Sequence, residues 1–278
     1  MLYRSLCRIA AGLVIVAGAT GVAGTTGAEA QVRPSSAELL PGWQEADGRH
    51  VVAISIDLAP GWKTYWRAPG DGGIPPQLDW TGSENVAAID LHWPVPGVYD
   101  SYGMRTVGYE RRLVLPISVT PEQAEAPVDL SLALSYGVCA DICVPVGARL
   151  DLQVSGSVDN PDPAIAAALA DQAVPAHAAG VTAGACRLSP DGETYTLDTD
   201  FTFGTEPTGP ITVLAEAPTL VDLWISPASV EQTGDLVSAS MTLDWFGEGP
   251  FALDRASLRF TLLNDGGAID VQGCAVTG

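Results

Sequence analysis

The stretch "VDLSLALSYGVCADICVPVGARLDLQV", residues 128–154, decides the fold that we predict. Leucine and valine alternate with small or polar residues on both sides of a central segment that holds Cys139 and Cys143. Such alternation with a period of two residues is typical of half-buried β-strands. The stretch therefore predicts two strands joined by a turn, with the two cysteines at the end of a β-hairpin.

Similar apolar or alternating runs recur along most of the chain, and turns rich in Gly, Pro, Asn and Asp separate them. They comprise residues 50–58, 112–119, 194–203, 211–216, 221–226, 236–245, 258–263 and 268–273. Short strands at this spacing are typical of β-sandwiches. We therefore predict an all-β fold of two tandem immunoglobulin-like β-sandwiches joined by a short Pro/Ala-rich linker.

The predicted linker comprises residues 158–180. Pro161 and Pro163 open it, an alanine-rich helical turn or two follows, and Pro175 closes it. Proline and low-complexity composition of this kind indicate a boundary between folded segments. The predicted domains are accordingly residues 31–157 and residues 181–278.

The first thirty residues are typical of a signal peptide. Arg4 and Arg8 give a positive start, an apolar run follows, and Ala28-Glu29-Ala30 has the small-x-small form of a cleavage site. We expect cleavage after Ala30 and export to a compartment where disulfides persist. Since the most apolar later stretch, residues 164–181, contains Asp, Gln, Pro and His, we expect no stable membrane insertion.

The charge of the chain excludes two classes of partner. It has 33 acidic and 13 basic residues, a formal net charge of −20 at pH 7. A protein so acidic is repelled by nucleic acid and by anionic lipid surfaces. We therefore expect no nucleic-acid partner.

Four cysteines follow the signal peptide, and they suggest two different uses. A bridge between Cys186 and Cys274 would close most of the second half and contribute about 4.6 kcal/mol in the chain-entropy model, as a structural disulfide does. A bridge between Cys139 and Cys143 closes a loop of only five residues and contributes about 2 kcal/mol. Because it stabilises so little, that second bridge is a better candidate for a bond made and broken in use.

Geometry limits the conformation of the Cys139–Cys143 segment. Residues four apart on a straight strand lie about 13 Å apart, whereas a disulfide needs Cα atoms within roughly 4.4–6.8 Å. An oxidised pair therefore requires a turn. Two other interpretations stay open: a copper or zinc site in which Cys139 and Cys143 are joined by His92, and an inert structural clip. The redox interpretation requires no cofactor.

Three stretches together resemble a known family. They are "GWKTYWRAPGDGGIPP" (61–76), "HWPVPGVYDSYGMRTVGYERRLVLPISV" (92–119) and "LSYGVCADICVPVGARLDL" (134–152). They resemble the periplasmic N-terminal domain of the thiol:disulfide interchange protein DsbD, and still more the amino-terminal region of the ScsB-type copper-sensitivity suppressor proteins. The resemblance covers residues 36–154 well and the second half only loosely.

The resemblance implies a function and a location. The family's domain is a periplasmic immunoglobulin-like redox module that receives electrons from a membrane-embedded partner through a thioredoxin-like carrier and reduces periplasmic disulfides. It implies that Cys143 forms the mixed disulfide with partners and that Cys139 resolves it. Because the sequence has no C-x-x-C motif, we expect a separate membrane electron conduit. The substrates would be proteins that handle copper or await haem attachment in cytochrome c maturation.

The resemblance also implies a cap loop over the pair, at residues 98–103. Tyr99, Asp100 and Tyr102 are the expected cap residues. Tyr65 and Tyr109 match aromatic positions near the family's site, and Glu110 follows Tyr109 as a further expected neighbour of the pair. Asp141 lies between the cysteines, and the nearest basic residue downstream is Arg149. Because a negative neighbour disfavours a thiolate, we expect a guarded thiol that reacts inside a partner complex.

Two alternatives belong to other classes of function. One is a periplasmic copper-binding module for metal tolerance, using Cys139 and Cys143. The other is a non-catalytic β-sandwich scaffold with two stabilising disulfides. A redox pair alone predicts a mixed disulfide with a partner when Cys139 is replaced by serine.

Overall fold

Strands account for nearly all of the regular secondary structure in the computed structural model, which describes residues 33–101 and 103–274. The prediction of an all-β chain is therefore confirmed for these residues. The predicted signal peptide, residues 1–30, and the predicted cap residue Tyr102 lie outside them. The described part contains no helix that could cross a membrane, since its single helix has eight residues.

The strands of the first half are β1 (Ser35–Gln44), β2 (His50–Leu58), β3 (Lys63–Gly70), β4 (Gln77–Asp79), β5 (Ala88–Leu91), β6 (Gly97–Ser101), β7 (Met104–Glu110), β8 (Arg112–Thr120), β9 (Val128–Cys139) and β10 (Cys143–Val154). The elements that follow are α1 (Pro163–Ala170), β11 (Val174–Pro175), β12 (Val181–Ala183), β13 (Arg187–Asp191), β14 (Thr194–Phe203), β15 (Thr212–Glu216), β16 (Leu223–Ile225), β17 (Ser229–Thr233), β18 (Leu236–Trp245), β19 (Arg259–Asn264) and β20 (Gly267–Gln272).

Two sheets form the first half. Sheet I has the order β1-β2-β8-β5, and sheet II has the order β10-β9-β3-β7-β6 with β4 also paired to β9. The alternating residues of β9 explain the packing, because Leu130, Leu132 and Leu134 are buried while the residues between them are partly exposed. These leucines join residues of sheet I, such as Ile54 and Ile117, in one hydrophobic core.

Two further sheets form the second half. Sheet III has the order β11-β20-β19-β15, and sheet IV has the order β12-β14-β18-β16 with β13 and β17 at its margins. Their core includes an edge-to-face contact between Phe201 and Phe260, whose ring centroids are 5.3 Å apart. Cys186 and Cys274 form a disulfide with a Cα–Cα distance of 5.6 Å, so the ends of this half are covalently joined.

The segment predicted as a linker is itself folded. The Asp162 carboxylate accepts a hydrogen bond from the Ala164 N–H and caps α1. Ile165 is fully buried, and it packs with Val51 and Val114 of sheet I. Because β11 then pairs in parallel with β20, residues 158–180 contact both halves. The boundaries at residues 157 and 180 stay predictions.

Candidate functional site

The β9–β10 hairpin brings the two central cysteines together. Cys139 ends β9, Cys143 begins β10, and the two residues face each other in the antiparallel register. The three residues between them form the turn, so the Cα atoms are 4.1 Å apart and the sulfurs form a disulfide. The predictions of a β-hairpin and of a turn within the five-residue loop are confirmed.

The two sulfur-bearing residues differ in exposure. Cys139 is 9% exposed, whereas Cys143 is an exposed residue. Ile142 beside it is 68% exposed. An incoming thiolate must reach one sulfur along the line of the S–S bond, and access decides which sulfur is attacked. The hairpin therefore presents Cys143 to a partner and keeps Cys139 behind it.

Tyr65 of β3 contacts both sulfurs. Its hydroxyl lies within hydrogen-bond distance of Cys139 Sγ and 3.1 Å from Cys143 Sγ. Because disulfide sulfurs carry no hydrogen, the tyrosine O–H is the donor. Burial raises the pKa of Tyr65, so the hydroxyl keeps its proton at neutral pH. Tyr65 is thus a fixed donor aimed at the bond.

Two glycines make room for the Tyr65 ring. A Cβ at Gly73 would lie 2.6 Å from Tyr65 Cδ1, and a Cβ at Gly137 would lie 3.1 Å from Tyr65 Cδ2. The ring therefore lies between the loop after β3 and strand β9. The Gly137 N–H donates to the Ile74 carbonyl at 3.3 Å and holds that loop against the strand.

A charged row crosses sheet II beside the cysteines. In the register, Glu110 faces Lys63, Lys63 faces Cys139, and Cys139 faces Cys143, across strands β7, β3, β9 and β10. Directly opposite residues share one face of a sheet, so all four side chains lie on the same face. The Lys63 ammonium lies 3.4 Å from the Glu110 carboxylate.

Tyr99 of β6 adjoins this row. Its ring centroid is 5.0 Å from Lys63 Nζ, a cation–π contact. A Cβ at Gly97 would lie 2.6 Å from the Tyr99 hydroxyl oxygen, so this side chain bends back over its own strand. The pKa of Tyr99 is raised, first by burial and then by the Glu110 carboxylate. Of the expected cap residues, Tyr99 thus contacts Lys63, which in turn faces Cys139.

The structure places the other expected residues as follows. Asp100 is exposed and forms an ion pair with Arg105 at an N–O distance of 3.4 Å. Because it follows Tyr99 directly on β6, its side chain lies on the opposite face of the strand. Tyr109 lies on the core face of β7, where its hydroxyl donates to the Pro94 carbonyl at 2.8 Å. Burial raises the pKa of Tyr109. The structure brings neither Asp100 nor Tyr109 to the sulfurs.

The residues of the copper interpretation are not assembled. In residues 33–101 and 103–274, no three or more His, Cys, Asp and Glu side chains are grouped to hold a metal ion. His92 follows β5 in sheet I, where its Nε2 lies 2.8 Å from the Ser118 hydroxyl. The structure therefore does not join His92 to Cys139 and Cys143 in one site.

The sequence shows Lys63 as its only lysine, but spacing along the chain gives this residue no role at the site. Asp141 and Arg149 are the charged residues close to the cysteines along the chain, whereas Lys63 is 76 positions before Cys139. Its pairing with Cys139 depends on the order of strands in sheet II. One signal was present: Lys63 is the only lysine in the sequence, and it lies within the stretch "GWKTYWR" that carries part of the family resemblance.

Comparison with known proteins gives two findings. Residues 36–155 match the family described as "Thiol:disulfide interchange protein DsbD, N-terminal". The crystal structure of the N-terminal periplasmic domain of ScsB from Proteus mirabilis is similar, with a TM-score of 0.62 and 22% identity over 88% of this chain and 92% of that chain. At this identity the likeness concerns the fold. No curated protein matches the sequence significantly.

Proposed function

Because residues 36–155 belong to the DsbD N-terminal family, we propose that this chain passes electrons to disulfides of periplasmic proteins through Cys139 and Cys143. The observation that carries the proposal is the asymmetric hairpin: Cys143 is exposed, Cys139 is buried behind it, and the Tyr65 hydroxyl lies within hydrogen-bond distance of both sulfurs. A structural clip needs neither the exposed sulfur nor the donor.

The exchange proceeds in two displacements. In the reduced protein, the Cys143 thiolate attacks a partner disulfide, and one partner sulfur leaves as a thiolate that takes up a proton. The Cys139 thiolate then attacks Cys143 Sγ, forms the intramolecular bond and releases the second partner sulfur. The partner gains two electrons and two protons, and the pair becomes the disulfide seen in the structure.

The reduced pair must be regenerated by a dithiol donor. We propose a thioredoxin-like carrier that is itself reduced by a separate membrane-embedded conduit, in agreement with the partners of the family. The export signal predicted in residues 1–30 and the ScsB periplasmic domain of like fold support a periplasmic location. Proteins that handle copper or await haem attachment are the proposed substrates.

We also propose that the four sheets form two tandem immunoglobulin-like sandwiches, within residues 31–157 and 181–278. The division is supported by two main core clusters, because most of the buried residues of each half pack in a cluster of their own. On this proposal only the first sandwich carries the redox pair, and the second carries the Cys186–Cys274 disulfide as a structural bond.

The trapping of a partner tests the function. In the Cys139→Ser variant the exposed Cys143 can attack but nothing resolves the product, so we expect mixed disulfides with periplasmic proteins on non-reducing gels. The Cys143→Ser variant is the matched control, since its remaining thiol is buried, and we expect no adducts. Adducts identified by mass spectrometry would name the substrates and the carrier.

The reduction potential of the cysteine pair can contradict the proposed function. A potential for the Cys139–Cys143 pair within roughly −180 to −270 mV, the range of working oxidoreductases, agrees with the proposal. A potential below about −300 mV is typical of structural disulfides. Such a value, together with an absence of adducts, would mean that the pair is only a structural disulfide.

A further inference from the structure

The structure places the only lysine of the sequence beside the buried cysteine. Lys63 faces Cys139 directly in the β3–β9 register, and the Cβ atoms of such cross-strand pairs lie about 4.5–5.5 Å apart. The lysine stem is long and flexible, so its ammonium can reach the neighbourhood of the sulfur. A cation is therefore available at a position where local sequence offered only Asp141.

Cys139 needs such a cation once the disulfide is reduced. It is 9% exposed, and burial in apolar surroundings disfavours a thiolate. Yet the resolving step requires the Cys139 thiolate, because thiols do not attack disulfides. We propose that Lys63 is a positioning residue that stabilises the thiolate of Cys139 in the reduced protein.

In the oxidised protein Lys63 is held by other groups. Its ammonium lies 3.4 Å from the Glu110 carboxylate and 5.0 Å from the centroid of the Tyr99 ring. The side chain of Lys63 is 30% exposed and that of Glu110 is 49% exposed, so this ion pair is weak. Because disulfide sulfurs are uncharged, nothing at Cys139 competes for the ammonium until reduction creates an anion there.

The other charged and titratable groups around Cys139 act in both directions. Tyr65 on β3 donates to the sulfur and favours the thiolate. Glu110 on β7 and Asp141 in the turn are negative and disfavour it, while Arg111, next to Glu110, is positive. Lys63 is the cation that faces Cys139 in the register.

The role in turnover rests on the proposed function. There the Cys139 thiolate attacks Cys143 Sγ in the mixed disulfide, the bond from Cys143 to the partner breaks, and the partner sulfur leaves with the electron pair and takes up a proton. A larger thiolate fraction at Cys139 makes this step faster at a given pH. The stabilisation itself can be measured without any partner.

The experiment titrates Cys139 in the Cys143→Ser background, with Cys186 and Cys274 left oxidised. Thiolate is followed by its ultraviolet absorbance and by the pH dependence of alkylation. We expect Lys63→Met to raise the Cys139 pKa by about one unit, which is a tenfold loss of thiolate. We expect Lys63→Arg to keep the pKa near its original value. We expect Glu110→Gln to lower it, because a negative neighbour is removed and the ammonium is released from its carboxylate.

Arg149→Met is the matched control. It removes a cation from β10 that faces Ala133, six positions along the strand from Cys143, and we expect an unchanged pKa. The inference is overturned if the Cys139 pKa is unchanged in Lys63→Met, or if it rises equally in Arg149→Met. If Lys63→Met does not fold, as judged by circular dichroism, Lys63→Gln decides: a raised Cys139 pKa supports the inference, and an unchanged or lowered pKa refutes it.

The two proposals fail separately. If the titrations give the expected shifts but the Cys139→Ser variant forms no adducts, the assignment of Lys63 holds and the proposed function falls. If adducts form and the Lys63→Met shift is absent, the function holds and the role of Lys63 falls.

Discussion

At the scale of single residues, the site depends on which face of a strand each side chain occupies. Tyr65 and Lys63 are two positions apart on β3, so both lie on the face that carries the cysteines. Tyr109 is next to Glu110 on β7 and therefore lies on the core face, although the family resemblance predicts both residues near the cysteine pair. Alternation thus separates residues that the sequence places together.

The Tyr65 hydroxyl gives a residue-scale prediction. Tyr65→Phe removes the donor to both sulfurs, and hydrogen bonds to charged groups contribute about 1.5–3 kcal/mol. Because that bond stabilises Cys139 as the leaving thiolate when a reductant attacks Cys143, we expect reduction of the disulfide by a small dithiol to slow by about tenfold or more, measured by quenched-flow thiol counting.

Tyr109→Phe is the control for that measurement. It removes the hydrogen bond to the Pro94 carbonyl in the core and is expected to cost about 1 kcal/mol of unfolding free energy with no change in exchange rate. Equal rates for Tyr65→Phe and the original protein would show that the contact with the sulfurs has no chemical role.

At the scale of elements, the segment between the halves is a packed helix. Pro163 opens α1 at a position where its missing N–H costs nothing, and Asp162 caps it. Its buried face, Ile165 and Ala168, lies against sheet I. The proline and alanine content that suggested a linker also suits a short capped helix, because alanine has the highest helix propensity.

Ile165 gives the element-scale prediction. Ile165→Ala removes a fully buried side chain from its contacts with Val51 and Val114, and such truncations cost about 2–5 kcal/mol. Urea unfolding measures the loss. Ala166→Ser on the exposed side of α1 is the control and is expected to change stability by at most about 0.5 kcal/mol. A loss that small for Ile165→Ala would mean that α1 is a loosely attached linker.

At the scale of the whole molecule, the two halves contact each other through a specific ion pair. Arg67 of β3 donates two hydrogen bonds of 2.9 Å to the carboxylate of Glu216 on β15. The Arg67 guanidinium also stacks on Trp66, 3.9 Å from the ring centroid. Leu214 of β15 and Leu263 of β19 join the hydrophobic core of the first half. The strand that carries Tyr65 and Lys63 is thus supported by the second half.

The Arg67–Glu216 pair gives the prediction at this scale. Glu216→Gln keeps the shape but removes the charge, and we expect a loss of about 1–3 kcal/mol because both side chains are mostly buried. Asp47→Asn in the solvent-exposed pair with Arg49 is the control, and we expect it to change the stability little. If urea unfolding gives the same small loss for both, the pair does not join the halves energetically.

The alternation of apolar residues was sufficient for the long strands. Residues 50–58, 194–203 and 236–245 were predicted from their pattern and match β2, β14 and β18. The pattern did not mark β3, β6 or β7, because these strands carry glycines and polar or aromatic residues on the face of the cysteines. The hydrophobic pattern alone therefore found the strands that carry the cysteines but not β3, β6 and β7, which carry the side chains around them.

The sequence by itself determined the all-β class, the hairpin and the turn between Cys139 and Cys143, because side-chain periodicity and the span of a disulfide are local properties. Only the tertiary structure decided which side chains surround the sulfurs. Lys63 and Tyr65 reach the pair because β3 lies between β7 and β9 in sheet II, and Tyr109 does not because it faces the core. Strand order and face come from long-range pairing, which spacing along the chain does not encode.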